Sequence, residues 1–350
     1  MRATALVLAI GGVVAACGSN TPPSEAPKKL ESVDSSKAEK DAKGLLTEIY
    51  ETISHADTDG LMTLFVEPLV VYGPRKADAH GTRSDALVAL KAIVDPKKKK
   101  PLRSGQLEVV PSPGGHSAWA FDVVEVNGQS LTVTAVLSNA DDIWQVSAAT
   151  LAETPAMKTV RAELKKDAIV PPGMAAIAKV DPNARPAVDK FQRGLAAQQQ
   201  WGDELSARSD AVVIGPGAGD VTRGKAEIKK LFKKRVKENV RATAAGEITA
   251  STTSDGQLAW VTMPIVQFED DVDPLPLRAF AVYEKNGNDW KLIALQESIA
   301  VDEPGTGASY KKVVAPALPK VEEAPPPKKK EEAPKKKKKK KKKKPKSDDE

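Results

Sequence analysis

The chain has one cysteine, Cys17, and three histidines, His55, His80 and His116. A lone cysteine excludes an internal disulfide and a cysteine cluster for zinc. All three histidines lie in the first half, so histidine chemistry is excluded from the second. Also missing are an HExxH helix, a Gly-x-Ser-x-Gly elbow and a glycine-rich phosphate loop after an expected strand. No cofactor or metal is implied. Positive charge on the fold is scarce too. The formal charge is +6, but residues 305–350 hold 17 Lys and 7 Asp and Glu, which leaves about −4 elsewhere. A globular nucleic-acid binder carries its positive charge on the fold, so nucleic acid is not the expected partner.

What is present begins with a leader. Arg2 gives a positive start, and Ala3 to Ala16 is uncharged and mostly apolar. The run is too short for a permanent membrane helix of about 20 residues. Val14-Ala15-Ala16-Cys17 resembles the bacterial lipoprotein box. The resemblance implies a signal peptide at 1–16, cleavage before Cys17 and lipidation of that cysteine by acyl chains such as palmitate. A bilayer is then the first partner. An ordinary secretory leader cut nearby is the alternative. Gly18 follows the cysteine, where no inner-membrane retention aspartate is found. A cell-envelope location is expected, with the outer membrane favoured where a cell has two. Several acyl chains anchor stably where one does not. Residues 17–35, rich in Pro, Ser and Lys, read as a flexible leash.

A first domain is expected over 36–153. Ser36 with Glu39 fits a capping box. Ala42, Leu45, Leu46, Ile49 and Ile53 recur at helical spacing. Asp57 to Gly60 breaks that helix, and a short one follows over Leu61 to Phe65. Leu69 to Tyr72 reads as a strand stopped by Gly73-Pro74. A third helix is expected over Ser84 to Val94. Lys97 to Lys100 then reads as a solvated loop, with a phosphate or lipid-head contact as the alternative. Strands follow at about 105–111, 116–126, 130–138 and 142–150, with a hairpin at Asn127-Gly128. Helices first and a sheet afterwards define an α+β class.

Residues 154–185 read as a linker with a short helix at about 157–167, and a second domain is expected over 186–302. Pro186 can open a helix carrying Val188, Phe191 and Leu195, with Gly194 awkward in its middle. Trp201 to Ala207 reads as a short second helix. The second domain repeats the landmarks of the first. Gly73-Pro74 returns as Gly215-Pro216, Trp119 as Trp260 and Trp144 as Trp290, at offsets of 142, 141 and 146. A longer hairpin holding Asp270, Asp271, Asp273 and Pro274 accounts for the last offset. Three landmarks in register argue for an internal duplication. Two unrelated α+β domains are the alternative. The four tryptophans read as core and edge packing.

Helix, helix, strand, helix and a long bent sheet resembles the SnoaL-like superfamily, with its nuclear transport factor and ketosteroid isomerase folds. The marks are Gly-Pro after the first strand, Thr222-Arg223-Gly224 before the third helix, Ala259-Trp260 near a strand start, and Asn286-Gly287-Asn288-Asp289-Trp290 at the last hairpin. The resemblance implies two tandem cone-shaped domains, each with helices packed on a curved antiparallel sheet. The open end of such a cone can hold a small apolar ligand. It also implies that the two sheets pair as an intrachain pseudo-dimer. Many relatives carry a histidine a few residues after the hairpin tryptophan; here Gln296 is near that place, which counts against catalysis.

Candidate acid–base groups in the first cone are Tyr50, Tyr72, His80 and Asp122. A tyrosine beside a carboxylate can move a proton and hold an oxyanion. The sequence alone brings no two of them together. The run Glu269, Asp270, Asp271 and Asp273 lacks the glycine and spaced glutamate of a calcium loop and reads as a solvated turn.

Residues 303–350 form a Pro- and Lys-rich tail, expected to be disordered. Its core is Lys335, Lys336, Lys337, Lys338, Lys339, Lys340, Lys341, Lys342, Lys343 and Lys344. Such a run repels itself, stays extended and adheres to anionic envelope polymer or lipid head groups. A harmless lysine expansion is the alternative. The expected function is a non-catalytic envelope lipoprotein that serves as a ligand- or protein-binding scaffold. An isomerase, cyclase or dehydratase working in the first cone, or a structural linker from membrane to wall polymer, are the alternatives.

Overall fold

A computed structural model describes residues 32–55, 57–74, 78–87, 102–126, 129–164 and 179–299. Cys17, the leash to residue 31, residues 88–101, where the rest of the third helix and the lysine loop were expected, and the whole tail lie outside the described residues. Among the described residues no helix is long and apolar enough to cross a membrane.

The first half opens with α1 (Ser35–Ser54) and α2 (Thr58–Thr63). Asp34, not Ser36, caps α1: its carboxylate accepts from Ser36 N at 2.7 Å and Lys37 N at 3.3 Å. A carboxylate facing free amides is the stronger acceptor, and Glu39 instead pairs with Lys43 one turn on. Seven strands follow: β1 (Phe65–Tyr72), β2 (Ala79–His80), β3 (Arg103–Ser104), β4 (Glu108–Pro111), β5 (Ser117–Val126), β6 (Gln129–Ala140) and β7 (Ile143–Glu153). Residues 83–87 are helical. The strand expected at 69–72 starts four residues earlier, and the short helix before it ends at Thr63 rather than Phe65. Val126 pairs with Gln129 across the Asn127-Gly128 position. Asp141 and Asp142, both at positive φ, turn β6 into β7.

The linker contributes α3 (Met157–Leu164). The second half then runs α4 (Arg185–Ala196), α5 (Gln198–Asp203), β8 (Val212–Ile214), β9 (Val221–Arg223), α6 (Lys225–Lys237), β10 (Arg241–Ala244), β11 (Thr249–Thr252), β12 (Leu258–Glu269), β13 (Val272–Asn286) and β14 (Asp289–Ser298).

The two sheets have one topology. The first is ordered β2-β1-β7-β6-β5-β3 with β4 also on β5. The second is ordered β9-β8-β14-β13-β12-β10 with β11 also on β12. Each is mainly antiparallel but mixed, because β1 joins β7, and β8 joins β14, in parallel. A parallel pair needs a long crossover, and the remaining strands of each half supply it. The loop after the first strand is also repeated. Asp78 O accepts from Gly73 N at 3.0 Å, and Asp220 O from Gly215 N at 2.6 Å. In both copies the Asp side chain lies where a Cβ on the glycine would stand, at 2.7 and 2.9 Å.

Alternation along the strands sorts side chains to two faces. On β5, Ala118, Ala120 and Val124 enter a core with Leu45, Ile49 and Leu61, which is the inside of the first cone. Trp119, Phe121 and Val123 point the other way and meet Trp260, Phe280 and Val282 of the second sheet. On β12, Ala259, Val261 and Met263 belong to the inside of the second cone. The sheets are therefore covered on both faces, which explains the long buried runs of β12 and β13. Polar bonds cross this seam. Arg278 donates to Gly73 O at 2.9 Å and lies over the Tyr72 ring; Gln296 donates to Thr132 Oγ1 at 3.0 Å; Arg223 reaches Glu108 at 2.7 Å.

Candidate functional site

Two of the four sequence candidates meet. Tyr50 sits on the buried side of α1, four residues before Ser54, whose hydroxyl ties the helix end to Leu102 N at 2.8 Å. Asp122 is on the cone-facing register of β5 and is fully buried. Its Oδ1 accepts from Gln106 N at 3.0 Å and from Val123 N at 2.8 Å. Two main-chain donors thus fix the carboxylate. Its Oδ2 and Tyr50 Oη are both buried and complete no hydrogen bond. Burial first, and the Asp122 carboxylate second, push the Tyr50 hydroxyl far above its ordinary range, so it remains a protonated donor. The two groups feel each other without closing a hydrogen bond.

Tyr50 also lines an apolar cavity of about 40 Å³ with Ile49, Phe65, Val71, Val124 and Leu131. That space is on the scale of a single water molecule. An apolar end with one polar atom could reach the Tyr50–Asp122 pair only if neighbouring side chains yield.

Tyr72 and His80 lie elsewhere. Tyr72 faces the seam, where burial pushes its hydroxyl up to about 12 against the opposite pull of Thr262, Arg278 and Thr249. His80 is on the edge strand β2, and its Nε2 is 3.9 Å from Asp78 Oδ1. The Arg278 guanidinium is lowered to about 10 by complete burial, against the raising effects of Tyr72 and Asp78.

Aromatic rings fill one end of the second cone. Trp201 on α5 lies between Phe191 and Phe232, with ring centroids at 5.9 and 5.7 Å. Gly194 permits this: a Cβ there would stand 1.9 Å from Trp201 Nε1. In the first cone Asp122 pairs across the sheet with Val133, while at the matching place in the second Met263 pairs with Ala279. The acid of the second cone is Glu297, whose carboxylate is closed by Arg235 in a two-pronged pair at 2.9 and 2.6 Å. Burial alone would lower the Arg235 guanidinium, and Glu297 more than offsets that. This pair was not read from the sequence, because 62 residues separate its members and neither stands in a motif.

The linker helix helps to close this cone. Val160 of α3 is buried in the second core, and Arg161 bonds Glu269 at 2.7 Å. Met157 and Arg161 border a cavity of about 260 Å³ that Asp220, Thr222 and Arg235 also line. The acidic turn is partnered as well, since Asp270 accepts from Asn239 at 2.8 Å and lies 3.5 Å from Arg241. Among the described residues no group of three His, Cys, Asp or Glu side chains is arranged to hold a metal.

A family model described as a SnoaL-like domain matches residues 197–302. Residues 197–302 are thus similar to a SnoaL-like domain, within an α+β structure of helices and two curved mixed sheets. Solved structures include an NTF2-like protein of unknown function from Pseudomonas putida, 16% identical over 36% of this chain and 92% of that one, with a TM-score of 0.30. An NTF2-like family protein from Streptomyces avermitilis, proposed to be a dehydratase, is 14% identical over 35% and 99%, with a TM-score of 0.29. A Caulobacter vibrioides protein with a cystatin-like fold is 14% identical over 34% and 90%, with a TM-score of 0.29. Each match covers about a third of this chain. No curated protein matches the sequence significantly.

Proposed function

We propose that the chain is a non-catalytic scaffold of the cell envelope, anchored through an acylated Cys17, in which two SnoaL-like cones, about 36–153 and 186–302, form an intrachain pseudo-dimer. The observation that carries this reading is the state of the interiors. Trp201 and the Arg235–Glu297 pair take up much of the second cone, the cavity of about 260 Å³ beside Arg235 is bordered by the linker helix, and the first cone leaves about 40 Å³. Pockets for small ligands run to several hundred Å³. A scaffold works through its outer surfaces, its leash and its lysine tail. The lipoprotein box supports the anchor, and the shared strand order of the two sheets supports the duplication.

One observation favours a second reading. Tyr50 and Asp122 present an unused donor and an unused acceptor inside the first cone. That constellation suits an isomerase- or dehydratase-type proton transfer, or a binder for an apolar molecule with one polar end. Native mass spectrometry of the detergent-extracted protein separates the two. The scaffold predicts the mass of the acylated chain alone. A small molecule that co-purifies, and is lost in Asp122→Asn, would replace the scaffold by the ligand-binding reading.

A further inference from the structure

Residues 179–299 are neutral overall, with seventeen Lys and Arg against seventeen Asp and Glu. Helix α6 breaks that balance. Its thirteen residues hold seven of the cations and one acid, Glu227. Ile228, Leu231 and Phe232 turn into the core, and Arg235 is spent on Glu297. Six lysines remain on the outer side.

Lys225, Lys229, Lys233 and Lys237 recur every four residues, which lays them in one row along the helix, about 18 Å from end to end. Lys229 is 3.7 Å from Asp203, Lys230 is 2.6 Å from Glu227 and Lys234 is 3.8 Å from Glu238. Lys225, Lys233 and Lys237 have no ion pair among the described residues. Beside this row stands Val236, 45% exposed, one of three large hydrophobic side chains exposed among the described residues. A soluble polyanion would gain nothing from the valine. A bilayer surface takes both features: ammonium groups settle among phosphates while an apolar side chain sits beneath them.

We propose that the outer face of α6 is a docking surface for anionic phospholipid. It holds the second domain against the membrane and is distinct from the acyl anchor and from the lysine tail. The proposal does not depend on lipidation of Cys17.

The test uses the chain from residue 17 onward, without its leader, with Cys17→Ser and with Lys335 to Lys344 all replaced by serine, which removes the leader, the acyl anchor and the lysine run. Binding is measured by vesicle sedimentation with phosphatidylcholine–phosphatidylglycerol mixtures and with phosphatidylcholine alone. Binding to the mixed vesicles only, weakening as salt rises, is expected. Adding K225Q, K233Q and K237Q should weaken it about five-fold per lysine, roughly a hundred-fold together. Val236→Ser should weaken it without changing the salt dependence. The melting temperature should stay put in each variant, since all four positions lie on the outer side of the helix. Unchanged vesicle binding by the triple variant would overturn the proposal. So would duplex DNA that binds as tightly as the mixed vesicles and is lost with the same lysines, since the face would then be a general polyanion site.

Discussion

A buried hydroxyl with no partner costs about 1–3 kcal/mol of desolvation. Tyr50 Oη is in that position, opposite a carboxylate oxygen that is also without a partner. Tyr50→Phe keeps the ring and removes the problem, so the variant should gain about 1 kcal/mol of stability in urea unfolding. If the first cone binds a polar-ended ligand, the same variant gains stability and loses the ligand, the usual trade at a functional group. A variant less stable than the parent would mean that the hydroxyl is satisfied in solution and that the pair is structural. Gly194 gives the opposite case. A helix interior normally favours alanine over glycine by about 1 kcal/mol. Here the added methyl would lie 1.9 Å from the Trp201 ring. Gly194→Ala should therefore destabilise, by about 1–3 kcal/mol through overpacking, and a stability gain would show that Trp201 does not seat on α4.

Between elements, α4 and α5 are fastened to the β13–β14 hairpin by charge. Lys190 pairs with Glu204 and lies 2.9 Å from Asp289; Arg193 is 3.2 Å from Glu204; Lys291 is 2.7 Å from Asp289. Burial would raise the Glu204 carboxyl, but Lys190 and Arg193 outweigh it and hold it below its ordinary 4.5. Asp289 is held far below its ordinary 3.8 by Lys190 and then Lys291. Both folded-state values lie under the unfolded ones, so the stability these acids add is complete above about pH 4.5 and is lost as pH falls through the folded values. Lys190→Met should flatten the fall in melting temperature between neutral and strongly acidic pH. An unchanged acid limb would show that the network is screened by solvent. At this scale the sequence was a good guide wherever order is local. The hairpins at Asp141-Asp142 and Asn286-Gly287, the row from Ala42 to Ile53, and the Gly-Pro stops all read directly. Interactions across long stretches did not read. The parallel joining of β1 to β7, the pairing of Tyr50 with Asp122 and the Arg235–Glu297 closure depend on chain returns that leave no periodic trace. Gly194 looked like a flaw in a helix because its reason, Trp201, is in the next one.

The whole folded part is held together by the seam. Trp119, Phe121 and Tyr72 from the first sheet share one apolar cluster with Trp260, Phe280 and Val282 from the second. Arg278 is buried among them and is bonded to the first half through Gly73 O. Separating the halves would expose those rings to water, which is far costlier than breaking a surface contact. The halves should therefore unfold together, and a calorimetric scan should give one transition whose van't Hoff and calorimetric enthalpies agree. Trp119→Ala tests this most directly, because Trp119 makes no contribution to the inside of either cone. Removing a buried tryptophan costs about 3–5 kcal/mol. The loss should lower the single melting temperature and speed hydrogen exchange in β12 and β13 as much as in β5 and β6. Exchange that rises in the first sheet alone, or a scan that splits into two peaks, would show that each cone is stable by itself and that the seam merely brings them together. The pairing uses one copy of each face within one chain, so the molecule should also sediment at the mass of its denatured chain.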